Sequence, residues 1–97
     1  MQFKAYQETQ ANNLPPSLDA GTILNRVTRI EKNTFKLSGK DTDGMRVFAD
    51  GHEYRTSSKV LMEQFSKFFE THPNETMENV KVVAPRGKNY LTLESSI

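Results

Sequence analysis

Cysteine is absent from the 97 residues. Its absence excludes disulfides, thiolate zinc sites, iron–sulfur clusters and thiol catalysis, and it fits a reducing cytoplasm. Long apolar runs are missing as well. The longest span three residues, as in Val60-Leu61-Met62, against the roughly 20 that a membrane-spanning helix needs. The first 19 residues hold a single lysine and no apolar stretch of the signal-peptide kind. No membrane partner is therefore expected, and the Asn74-Glu75-Thr76 sequon reads as a chance match. A surplus of one charge sign is also lacking. Thirteen Lys+Arg face twelve Asp+Glu, a net charge of +1. That balance excludes a protein that holds nucleic acid by bulk positive charge.

The groups that do chemistry are equally scarce. His52 and His72 are the two histidines. Neither has an acid partner or a metal-ligand spacing nearby in sequence. Asp41-Thr42-Asp43-Gly44 begins like a calcium loop, but no bidentate Glu follows at the required distance, so it reads as a turn. Phosphate loops and nucleophile elbows do not occur. The expectation is a non-enzyme with no catalytic residues, no metal and no cofactor.

What is present is a short arm and a β-rich body. Residues 1–19 are rich in Gln and Asn and carry Pro15-Pro16, which interrupts any helix. They read as a flexible N-terminal arm, with Phe3 and Tyr6 able to dock or pair. The body, 20–97, begins with a β-branched run from Thr22 to Ile30 whose imperfect alternation predicts a bulge. Glu31-Lys32-Asn33 reads as a turn, and Thr34 to Ser38 as a second strand with Phe35 and Leu37 on one face. Asp50-Gly51 is the strongest local signal. It sits between Met45–Ala49 and His52–Thr56, and Asp-Gly at that place predicts a type I′ hairpin. A two-residue turn pairs Ala49 with His52, Val47 with Tyr54 and Met45 with Thr56 on one face. It pairs Phe48 with Glu53 and Arg46 with Arg55 on the other.

One amphipathic helix follows, capped by Ser57 or Ser58. Leu61, Phe65, Phe68 and Phe69, with Met62 beside them, recur at the spacing of a buried stripe. Pro73 ends it after about 14 residues. Two further strands are predicted, Asn79 to Ala84 and Asn89 to Glu94, joined by the basic loop Pro85-Arg86-Gly87-Lys88. In the last strand Leu91 and Leu93 face inward and Tyr90 and Thr92 outward.

Phe48-Ala49-Asp50-Gly51-His52-Glu53-Tyr54-Arg55-Thr56 running into the helix, and Arg86-Gly87-Lys88-Asn89-Tyr90-Leu91-Thr92-Leu93-Glu94, carry a resemblance. From Gly21 to Ser96 the chain resembles the small OB-fold single-strand-binding proteins of bacteria and their phages. The likeness is one of pattern and element order, without a short diagnostic motif, and other small α+β folds share the order. It implies a mostly β (α+β) fold, a five- to six-stranded OB-like barrel with one amphipathic helix between the third and fourth strands. It also implies a role in replication or recombination, of a phage or mobile element.

Single-strand binders need aromatic plates for the bases and positive charge along the backbone path. Phe48 and Tyr90 are the candidate plates, and Arg26, Arg29, Arg46, Arg55, Arg86 and Lys88 the candidate phosphate contacts. Tyr54 belongs with the apolar face. Charge is distributed to match. Residues 21–60 carry +3, residues 61–79 carry −3 and residues 80–92 carry +3. The strands are basic and the helix region acidic, as expected of a sheet that binds a polyanion with its helix turned away. The partner expected on this ground is single-stranded nucleic acid, DNA before RNA. The alternative is a protein-interaction module, an adaptor, inhibitor or phage structural subunit. It would pair with another protein or a second copy through an exposed strand edge or the arm.

Overall fold

The structure is a computed structural model, and it describes residues 14–97. Five strands form one antiparallel sheet: β1 (Ile23–Leu37), β2 (Lys40–Ala49), β3 (His52–Thr56), β4 (Met77–Val83) and β5 (Thr92–Ser95). A single helix, α1 (Lys59–Thr71), lies between β3 and β4 in the chain. In space the strands run β3-β2-β1-β4-β5. β1 is the hub. Its first part pairs with β4, Leu24 opposite Val80, and the rest pairs with β2, Ile30 opposite Val47. The handover falls at the expected bulge. Val27 opposes Ala49 and Arg29 opposes Phe48, so Thr28 is one residue too many. An extra residue sharpens the local twist and lets one long strand serve two neighbours.

Two segments with the composition of a turn and a loop are strand instead. Glu31-Lys32-Asn33 is strand, paired with Arg46, Met45 and Gly44. Asp41-Thr42-Asp43-Gly44 is strand too, paired with Lys36 to Asn33. The two predicted runs therefore merge into the 15 residues of β1. The true turn is Ser38-Gly39, where both φ values are positive at 51° and 76°, as a two-residue I′-type connection demands. The Asp50-Gly51 hairpin has the predicted register throughout, from Ala49 opposite His52 to Met45 opposite Thr56.

The core lies on one side of the sheet. Leu24, Val27, Met45, Val47, Ala49, Val80 and Val82 meet Leu61 and Phe65 of α1 there. Burying side chains of this size stabilises by about 1.5–3 kcal/mol each. Ser58 caps the helix, its Oγ accepting from the Leu61 amide at 3.3 Å. At the other end the His72 amide donates to the Phe68 carbonyl. Phe69 packs against the core, while Phe68 is half-buried and stacks on the His72 ring at 5.1 Å.

The sheet is open among the described residues, because β3 and β5 stand at its two ends. Both ends are covered. Residues 16–18 run beside β3: the Arg55 amide donates to the Pro16 carbonyl and the Leu18 amide to the Arg55 carbonyl, each at 2.9 Å. Leu18 is 1% exposed and joins the core. The last part of the arm is thus seated on the body, whereas Phe3 and Tyr6 lie outside the described residues. At the other end Gln64 of α1 reaches β5. Its Oε1 accepts from the Leu93 amide at 3.0 Å, and its Nε2 donates to the Thr92 hydroxyl at 2.9 Å.

Candidate nucleic-acid interface

Strand alternation leaves the opposite side of the sheet free of the helix. Two rungs of cross-strand partners lie there. One is Arg29–Phe48–Glu53, across β1, β2 and β3. The next is Glu31–Arg46–Arg55. The hairpin register places Arg46, Phe48 and Arg55 together because Val47 and Ala49 take the core side. The bulge at Thr28 brings Arg29 onto the same face as Phe48.

The side chains interlock. The Arg29 guanidinium lies over the Phe48 ring, 4.1 Å from its centroid, and reaches Glu31 at 3.3 Å. A guanidinium on a ring gains from the ring's negative face and presents a flat surface of its own. Arg46 pairs with Glu53 and lies 5.5 Å from the Phe35 ring centroid. Arg55 makes no ion pair among the described residues. The Nε atoms of Arg46 and Arg55 are buried without a partner. Phe35 is no plate for a base, because it is 3% exposed. Its ring rests on Gly44, where an added Cβ would meet ring carbons at 2.8 and 2.9 Å.

The remaining predicted residues sit elsewhere. Arg26 faces Glu78 of β4, Nη2 to Oε1 at 3.4 Å. Tyr90 is not in a strand. It belongs to the bend before β5, is 44% exposed, and lines a pocket of about 410 Å³ with Lys88, Lys59 and Leu91. Ser58 and Val60 share that pocket, which places Tyr90 on the helix side. Arg86 is exposed in the same β4–β5 loop. The eight predicted residues therefore divide into a face of four (Arg29, Arg46, Phe48, Arg55), a loop of three (Arg86, Lys88, Tyr90) and Arg26. Lys59 was missed beside Tyr90. Its position, just inside a helix start, carries no spacing signal that links it to a loop about thirty residues away. Glu31 and Glu53 were also missed as partners of the arginines, although the hairpin register already brought Glu53 beside Phe48.

His52 meets the Tyr54 ring edge-on at 6.5 Å. His72 Nδ1 is 2.8 Å from the Thr71 hydroxyl. Among the described residues no three His, Asp or Glu side chains gather as metal ligands. No helix among them is long and apolar enough to cross a membrane. No family model matches the chain, and neither a curated protein nor a solved structure is significantly similar to it.

Proposed function

We propose that this chain is a small non-enzymatic domain that binds single-stranded nucleic acid, DNA in the first place, on the helix-free face of its sheet. The observation that carries the reading is the pair of rungs that sets one half-buried ring, Phe48, among Arg29, Arg46 and Arg55. A base would stack on the Phe48–Arg29 layer, and phosphates would pass over Arg46 and Arg55. We take the body as OB-like on its element order, β-β-β-α-β-β, and on a single helix between the third and fourth strands. Residues 16–18 and Gln64 would then fill the gap between β3 and β5. A role in phage or mobile-element replication would follow from that resemblance.

Titrating a labelled oligonucleotide at two salt concentrations tests the reading. Salt-dependent binding is the expected result, and no binding at low salt overturns it. Phe48→Ala should cost about 1–3 kcal/mol of binding free energy, the usual worth of one stacked base. Tyr90→Ala should cost less, since Tyr90 lies on the helix side. Glu63→Ala, on the exposed surface of α1, should leave binding unchanged.

The rival reading, strand addition to an exposed edge, has less support at the two terminal strands of the sheet. At Arg55 the β3 edge is already paired, and at Leu93 the β5 edge is held by Gln64. A partner strand would have to displace these bonds. A solution mass above that of the monomer, with no oligonucleotide shift, would favour it.

A further inference from the structure

The feature the fold leaves unexplained is an arginine pair with unmet donors. Arg46 and Arg55 are direct cross-strand partners. Like charges placed opposite each other are destabilising, and an anion beside the pair offsets the repulsion. Glu53 supplies one, through Arg46 Nη1. It satisfies the pair incompletely, because both Nε–H groups stay buried without an acceptor. A buried donor that lacks an acceptor is costly, and an arginine fork is shaped for the oxygens of a carboxylate or phosphate.

We propose that Arg46 and Arg55 form a seat for one phosphate-type oxyanion, and that Glu53 occupies this seat in the free protein. The inference rests on the reading of this face as the nucleic-acid surface, and it names the point where a backbone phosphate enters. The phosphate displaces the Glu53 carboxylate from Arg46. Turning the two guanidinium groups toward it gives their Nε–H donors an acceptor in its two non-bridging oxygens, and Glu53 no longer has to serve the pair alone. Phe48 lies directly opposite Glu53. A base stacked there brings its phosphate to the arginine pair one rung away. Glu53 thereby weakens binding to every strand and selects for ligands whose phosphate and base engage together. The Arg29–Glu31 pair is more exposed, at 62% and 52%, and solvent screens it more strongly. Glu31 should therefore matter less.

Two measurements on the full chain test this, and one of them needs no nucleic acid. In the first, melting is compared in phosphate and in chloride at equal ionic strength. Glu53→Gln should gain about 2–4 °C more from phosphate than the wild type does. Glu53→Gln combined with Arg55→Ala should lose that extra gain, which separates the seat from the general stabilisation phosphate gives any protein. In the second, Glu53→Gln should bind an oligonucleotide about fivefold more tightly than wild type, and Glu31→Gln less than twofold. Glu53→Asp keeps the charge but shortens the reach to Arg46, and it covers the case of a Gln variant that folds poorly. It should shift both readouts in the same direction. If the wild type binds oligonucleotide and the Glu53 variants match it in both arms, the seat is wrong and the functional reading survives. If phosphate stabilises Glu53→Gln but no variant binds oligonucleotide, the seat stands and the nucleic-acid reading falls.

Discussion

Gly44 shows how one residue can be misread for a good reason. Asp-Thr-Asp-Gly has the composition of a turn, since all its residues but threonine are depleted in strands. Its glycine is in β2 because the Phe35 ring lies where a side chain would be. A Cβ there would stand 2.8 Å from Phe35 Cδ2 and 2.9 Å from the Thr56 carbonyl oxygen. The ring could shift, but the backbone oxygen could not do so cheaply. Gly44→Ala should destabilise by about 1–3 kcal/mol, read as a lower urea midpoint at unchanged slope. An unchanged midpoint would mean that both the Phe35 ring and the backbone at Thr56 give way easily. Asp50 is the converse case. The sequence identified its turn, and the structure adds a second task. The Asp50 carboxylate accepts from the Asn25 and Arg26 amides, each at 2.9 Å. Asp50→Ala should cost about 1–2 kcal/mol, and Asp50→Asn, which keeps one acceptor, should cost less. Nothing in the local sequence links Asp50 to amides 24 and 25 residues upstream, so that contact could not be read from the chain.

Elements were legible where the core imposes a period and illegible where it does not. The Asp50-Gly51 hairpin and the helix each bury one face, and periods of two and 3.6 residues follow. The outer half of the β1–β2 hairpin runs past the core. Lys32, Thr34 and Lys36 are exposed on one strand, and Lys40, Asp41 and Asp43 on the other. On β1 the alternation of Phe35 and Leu37 shows through, but Lys40 to Gly44 holds no apolar residue and so no alternation to find, and the Ser38-Gly39 turn lacks the Asn-Gly or Asp-Gly signal. Tyr90 was misplaced for a related reason. Asn89 to Glu94 alternates, but pairing with β4 begins at Thr92, opposite Val83. The strand is short because β4 ends at Val83, which leaves Tyr90 and Leu91 without a partner strand; α1 holds its open edge through Gln64. Gln64→Leu would keep the bulk and leave the Leu93 amide without its acceptor. We expect a loss of about 1–2 kcal/mol, with faster hydrogen exchange at Leu93 and little change in β2 and β3. Exchange rising evenly over the sheet would show that Gln64 supports the fold as a whole.

For the whole molecule the decisive quantity is charge. The net charge is +1, and the face of Arg29, Glu31, Arg46, Glu53 and Arg55 has the same sum. Charge on that face is largely spent on internal ion pairs, so a bound strand cannot release many counterions. For single strands each neutralised phosphate contributes about −0.7 to the slope of log K against log salt. With one phosphate seated by Arg46 and Arg55 together and a second within reach of Arg29, the slope should lie at about −0.7 to −1.4. A polybasic protein of this size would give a much steeper line. The two kinds of contact should also separate. Arg55→Ala should flatten the slope by about 0.7, because one phosphate contact is lost. Phe48→Ala should lower affinity at every salt concentration with the slope unchanged, because stacking releases no ions. A steep slope in the wild type would place the phosphate contacts off this face. The β4–β5 loop, where Arg86 and Lys88 are exposed and lack acidic neighbours in sequence, would then be where they lie.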